Sequence, residues 1–166
     1  MTGTLTTIYT TMPSPIGDLL LTGDGTALTR LLMSPFAVED TWERDDDGLR
    51  EYVQQLEDYF AGNRRDFDIP VDPAGTPFQK RVWEALCEIP YGQTWSYLQL
   101  ATRIGNPKAC RAVGLANGRN PIAVVVPCHR VIGANGSLTG YGGGMDRKRI
   151  LLDLERRTES AQLELA

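Results

Sequence analysis

The chain has 166 residues, a length suited to one domain or two small ones with a buried core. At 42% hydrophobic and 23% charged it has the composition of an ordinary globular protein, and no run of eighteen apolar residues occurs, which argues against a membrane-spanning helix. The net charge of -4 hides an asymmetry: residues 1–75 hold 5 basic and 14 acidic side chains, whereas residues 76–157 hold 12 basic and 5 acidic.

Residues 5–33 read as an antiparallel meander. Leu5 to Thr11 is rich in β-branched residues, Leu19-Leu20-Leu21 follows, Asp24-Gly25 is a hairpin turn signal, and Ala27 to Met33 returns. Residues 34–48 read as an acidic loop. Leu49, Val53, Leu56 and Phe60 recur at helical spacing until Gly62, and Phe67 to Val71 suggests one more strand. Asp72-Pro73-Ala74-Gly75 is a candidate linker, which divides the chain at 75/76.

Beyond it the pattern turns helical. Thr76-Pro77-Phe78-Gln79 and Ser96-Tyr97-Leu98-Gln99 are capping boxes, the first with proline at the first helical position. The second opens a short helix ending near Gly105. Asn106-Pro107 is expected to cap a third helix, running to about Gly118 with Arg111 midway along it. Two short helices joined by a tight turn outline a helix-turn-helix. The apolar run Ile122 to Val126 leads as a strand into Pro127-Cys128-His129-Arg130-Val131. Glycines cluster between Gly133 and Gly144, and a last helix is expected over 146–157.

The three cysteines, Cys87, Cys110 and Cys128, make a poor disulfide framework and fit a reducing compartment. With no secretory leader visible in Met1–Tyr9, a cytoplasmic location is expected. One histidine and no C-x-x-C pair argue against a structural metal, so neither metal nor cofactor is expected. Cys128 beside His129 is the one nucleophile–base candidate. The pair alone is weak evidence and is more readily read as a structural cysteine. On an extended strand the two side chains would also point to opposite faces.

The residues around that pair change its weight. Pro127-Cys128-His129-Arg130-Val131 resembles the active-site signature of the O6-methylguanine-DNA methyltransferases, the methylated-DNA–protein-cysteine alkyltransferases. Ile89-Pro90-Tyr91-Gly92, Ser96-Tyr97, Gly105-Asn106-Pro107, Arg111-Ala112-Val113-Gly114, Asn120-Pro121, Thr139 to Gly144 and Leu151 to Glu155 follow in the same order and spacing. Over 1–75 the likeness is looser, with Ser14-Pro15-Ile16-Gly17 the best match.

The resemblance implies a mixed α/β fold. A small antiparallel sheet with a helix, ribonuclease H-like, would occupy 1–75, and a mostly helical DNA-binding and acceptor domain 76–166. It implies irreversible transfer of an alkyl group from O6-alkylguanine, and from O4-alkylthymine, to Cys128, once per molecule. His129 would deprotonate Cys128 through a water, Glu155 would orient His129, and Asn120 would brace the turn before an active-site strand. Tyr97 would donate a proton to the departing base. Arg111 would enter the base stack in place of a flipped nucleotide, with Ala112, Gly114 and Ser96 against the DNA minor groove. Tyr97, Val131, Tyr141 and Gly142 would wall the guanine pocket. The carbonyls of Cys128 and Val131 would accept from the guanine amine. The expected partner is duplex DNA, with no membrane, bound by a monomer that can assemble cooperatively. The rival readings are a non-catalytic module that only binds the lesion, and a cysteine hydrolase.

Overall fold

The β-branched run near the start forms β1 (Ile8–Met12), paired antiparallel with β2 (Leu19–Gly23), which pairs in turn with β3 (Leu28–Met33). The hairpin between β2 and β3 is closed by Asp24, whose carboxylate accepts the backbone N–H groups of Thr26 and Ala27 at 2.8 and 2.9 Å. The computed structural model describes residues 6–136 and 144–165, so Leu5, Tyr141 and Gly142 lie outside the described residues.

The acidic segment expected to be loop contributes a short strand, β4 (Glu43–Arg44), parallel to β1, and the sheet order is β3-β2-β1-β4. Two residues are too short for periodicity to detect. Helix α1 (Arg50–Phe60) follows, but its buried face centres on Leu56 and Tyr59 rather than on Phe60. Gly62, at φ +79°, takes the left-handed conformation that ends it. The strand expected over 67–71 reduces to a single bridge, Val71 to Leu28.

In the C-terminal half, α2 (Pro77–Leu86) begins with the Thr76/Gln79 capping box and α3 (Tyr97–Arg103) with the Ser96/Gln99 box, both fully formed. Helix α4 starts only at Cys110 and runs to Gly118. The expected cap at Asn106 is a turn instead, in which the Asn106 carbonyl accepts from Ala109 N–H at 3.0 Å. Arg111 is therefore the second residue of α4, not its middle. Helices α2, α3 and α4 pack on one another, and the Trp83 indole N–H of α2 donates to Ala116 O of α4 at 2.9 Å. The last helix, α5 (Met145–Leu165), is longer than expected. Buried apolar side chains of both halves, among them Leu21, Leu31, Leu56, Val82, Val113 and Leu151, form one continuous cluster. No helix among the described residues is long and apolar enough to cross a membrane.

Two links across the molecule hold the segment around Cys128 in place. Leu31 of β3 donates to Pro121 O at 2.9 Å and accepts from Ala123 N–H at 3.2 Å, tying the sheet to the chain just before Cys128. A two-residue strand at the start of α3, β5 (Trp95–Ser96), pairs parallel with β6 (Val131–Ile132), just after Cys128.

Candidate active site

The chain before Cys128 is coiled, which corrects the expectation of an active-site strand. Val124 has φ +69°, and Val125 N–H reaches back to Ala123 O at 2.7 Å. That is a γ-turn of the rare strained kind, and its β-branched centre costs on the order of 1–3 kcal/mol. A second i to i+2 closure, Cys128 N–H to Val126 O at 2.8 Å, is centred on Pro127. Asn120 holds the coil from inside. Its amide donates to Val126 O at 2.8 Å and to Ile122 O at 3.2 Å, and its carbonyl accepts Ile122 N–H at 3.0 Å. Cys128 thereby opens a single 3-10 turn, Cys128–Arg130, and not a strand with alternating faces.

His129 and Arg130 both reach Glu155 on α5. His129 Nε2 lies 2.7 Å from Glu155 Oε2, and Arg130 grips both carboxylate oxygens, Nε to Oε1 at 2.8 Å and Nη2 to Oε2 at 3.1 Å. The Tyr59 hydroxyl of α1 donates to Oε2 at 2.5 Å, and Gly92 N–H to Oε1 at 3.3 Å. Arg130 Nη1 donates onward to Ile89 O at 2.8 Å. Burial alone would push Glu155 up, but the hydrogen bonds from His129 and Arg130 and the charge of Arg130 outweigh it and hold the carboxyl well below its ordinary range. Burial also pulls His129 below its usual value, against the pull of Glu155. Because Arg130 already neutralises Glu155, the imidazole has no need of a charge. Neutral His129 then donates from Nε2, which leaves Nδ1 as its basic nitrogen. That Nδ1 is buried and without a hydrogen-bond partner among the described residues.

Burial pushes the Cys128 thiol up to about 11, opposed by the Asn120 amide and the charge of Lys148. At neutral pH that leaves roughly one sulfur in ten thousand ionised, so a positioned base is required. Lys148 is itself fully buried and donates to Val131 O at 2.5 Å. Burial pulls its ammonium down to about 8. Asn117 Nδ2 lies 3.4 Å from Cys128 O. Of the two carbonyls expected to meet a ligand amine, Cys128 O thus already accepts from Asn117 and from Val131 N–H, and Val131 O from Lys148. A partly enclosed cavity of about 550 Å³ reaches Cys128, Asn120 and Gly118.

Tyr97, half-buried, is placed near this turn by the β5–β6 pairing, which aligns Trp95 with Val131 and Ser96 with Ile132. Its ring packs beside Gly114, where an added Cβ would lie 3.6 Å away. Ser96 Oγ is engaged as the cap of α3, accepting Gln99 N–H at 3.1 Å. Arg111 and Ala112 are exposed on α4. The structure therefore gathers Cys128, His129, Glu155, Asn120 and Val131 at one turn, and leaves Arg111 and Ala112 on an outer surface. Sequence reasoning missed Tyr59, Asn117 and Lys148 as neighbours of the site, and took Arg130 only as part of a motif. No local pattern marks the first three.

Comparison with known proteins finds matches to both halves of the chain. Residues 7–73 match the family model described as 6-O-methylguanine DNA methyltransferase, ribonuclease-like domain, and residues 77–157 match its DNA binding domain. The chain is 54% identical over 160 residues to the methylated-DNA–protein-cysteine methyltransferase of Mycobacterium tuberculosis strain H37Rv, covering 95% of this chain and 97% of that one. It is 54% identical over 151 residues to the protein of the same name from Methanosarcina acetivorans, covering 89% and 97%. A crystal structure of the Mycobacterium tuberculosis protein in complex with DNA superposes with a TM-score of 0.87 at 55% identity, covering 91% of this chain and 94% of that one. With both of its halves matched in order, the chain belongs to the 6-O-methylguanine DNA methyltransferase family.

Proposed function

We propose that this protein repairs O6-alkylated guanine in DNA by moving the alkyl group onto Cys128, in a single displacement that consumes the protein. The observation that carries this reading is the buried His129, next in the chain to the buried Cys128 and clamped at Nε2 by Glu155 while its Nδ1 has no hydrogen-bond partner among the described residues. His129 takes the thiol proton through a bridging water, and the Glu155–Arg130 pair stabilises the imidazolium that forms. The thiolate attacks the alkyl carbon; the S–C bond forms as the C–O6 bond breaks, and the electron pair leaves with guanine. Tyr97 donates a proton to the departing ring, and the thiol proton held by His129 passes through water to the Tyr97 oxygen, so thiol and alkylguanine become thioether and guanine. No oxidant, reductant or cofactor enters that balance.

Base flipping is required because an alkylated base inside a duplex is out of reach of the sulfur. Arg111, exposed near the N-terminal end of α4, fills the gap, with Ala112, Gly114 and Ser96 close to the minor groove. Val131, Tyr141 and Gly142 complete the guanine pocket together with Tyr97. We divide the chain into a ribonuclease-like domain over 1–75 and a DNA-binding, alkyl-accepting domain over 76–166. The segment 72–75 between them has neither helix nor strand. O4-alkylthymine as a second substrate, a monomeric state with cooperative assembly on DNA, and a cytoplasmic setting complete the reading.

The test is to incubate the protein with duplex DNA carrying O6-methylguanine and to record intact and peptide masses. One methyl per chain on the Cys128 peptide is expected, and none with Cys128→Ala, which still binds the duplex. Tight binding without transfer by the folded, reduced protein would make it a lesion-binding module instead.

A further inference from the structure

We propose that the corner of the N-terminal sheet, Met33 to Phe36, is the wall of a chamber for the alkyl group, so that the N-terminal half sets how large a group Cys128 accepts. The proposal rests on the reading of Cys128 as the acceptor. The cavity of about 550 Å³ that reaches Cys128 and Asn120 is otherwise bounded mainly by apolar side chains, among them Leu32, Met33, Pro35 and Phe36. An apolar space of about 150 Å³ already accommodates a benzene ring, so a methyl group would occupy only a small part of this one.

Displacement needs sulfur, carbon and oxygen nearly in line. Whatever lies beyond the first carbon of the alkyl group must therefore leave that line sideways, and a mainly apolar space that reaches Cys128 gives it somewhere to go. Removing that apolar surface from water favours the bound state in proportion to its area. The atom balance is the same for a benzyl group as for methyl: one S–C bond forms, one C–O6 bond breaks, and the thiol proton ends on guanine.

The wall is fastened to the reactive turn. Leu31, next to it on β3, exchanges backbone hydrogen bonds with Pro121 and Ala123, two residues of the coil that ends at Cys128. Ser34 donates its N–H to Asp18 O at 3.0 Å, and its hydroxyl accepts from Arg147 Nη2 of α5 at 3.2 Å. A wall held at both ends discriminates by size, which a loose loop could not do.

The experiment compares single-turnover transfer from two matched duplexes, one with O6-methylguanine and one with O6-benzylguanine, each read as the thioether on the Cys128 peptide. Met33→Trp, which fills the chamber, is expected to slow benzyl transfer about tenfold while methyl transfer stays within about twofold, as pocket size discriminates in other enzymes. Phe36→Ala, which removes an apolar surface instead of adding one, is expected to slow benzyl transfer selectively by a few-fold. Thermal unfolding confirms that each variant is folded. A selective benzyl loss in either folded variant supports the proposal. Parallel changes on both duplexes, or no change in both variants, overturn it. Failure of the parent protein to transfer methyl at all would instead defeat the reading of Cys128 on which the proposal stands.

Discussion

Glu155 keeps its charge where burial works against it, because the side chains of Tyr59, His129 and Arg130 and the Gly92 N–H all donate to one carboxylate. Arg130 is the partner whose removal would cost most, since a buried charge left uncompensated destabilises by about 3–5 kcal/mol. Tyr59 offers the sharper test. Tyr59→Phe keeps the ring packed and removes one charge-assisted hydrogen bond, worth about 1.5–3 kcal/mol. We expect denaturant unfolding to show a loss of that order and single-turnover assays to show slower transfer, because the carboxylate that orients His129 is held less firmly. A Tyr59→Phe protein as stable and as fast as the parent would mean that this hydroxyl holds nothing in place.

At the level of elements, short pieces do the aiming. The ladder between β5 and β6 is two residues long, yet it links the start of α3 to the chain just after Cys128. Ser96 both ends that strand and caps the helix whose first residue is Tyr97. Thr76 has the same capping role at α2, a helix that does not carry Tyr97. Replacing either with alanine should cost about 1 kcal/mol of stability. Only Ser96→Ala should also slow alkyl transfer, because it loosens the first turn that carries Tyr97. Equal transfer rates for Ser96→Ala and Thr76→Ala, measured side by side, would separate the cap from the chemistry.

For the whole molecule, two quantities matter: where the charge lies and how it responds to pH. The basic excess of residues 76–157 gives the DNA-binding half a net positive charge in a protein that is acidic overall. Arg111→Ala should therefore weaken repair of a duplex far more than reaction with the free alkylated base, because only the duplex requires a base to be flipped. Equal losses on both substrates would contradict that role. Acid should destabilise the fold in two stages. His129 sits below its ordinary value of 6.5, so the unfolded chain binds more protons and stability falls as pH drops below about 6.5. Glu155 sits below its ordinary 4.5, so its contribution, present above that value, is lost as pH falls further towards its folded value. Asp24 and Asp46, both below their ordinary 3.8, act in the same sense at the acid end. Melting temperature recorded between pH 8 and pH 3 should decline throughout that acid limb; a flat profile between pH 7 and pH 5 would remove the buried neutral imidazole from the account.

The amino-acid sequence by itself determined the local pieces: the Asp24 hairpin, both capping boxes, the pair of short helices, and a Cys128-His129 motif whose resemblance already named Glu155 as partner. Each is legible because its hydrogen bonds or its pattern span a few neighbouring residues. Only the tertiary structure decided that Cys128 heads a turn, since Pro127 offers no N–H for a ladder and the Asn120 amide takes up carbonyls that a strand would have paired. It alone brought Tyr59 to Glu155, 96 residues away, and set the β3 corner and Cys128 on one cavity. Contacts between segments that far apart leave no period in the sequence, because nothing local depends on them until the core has closed.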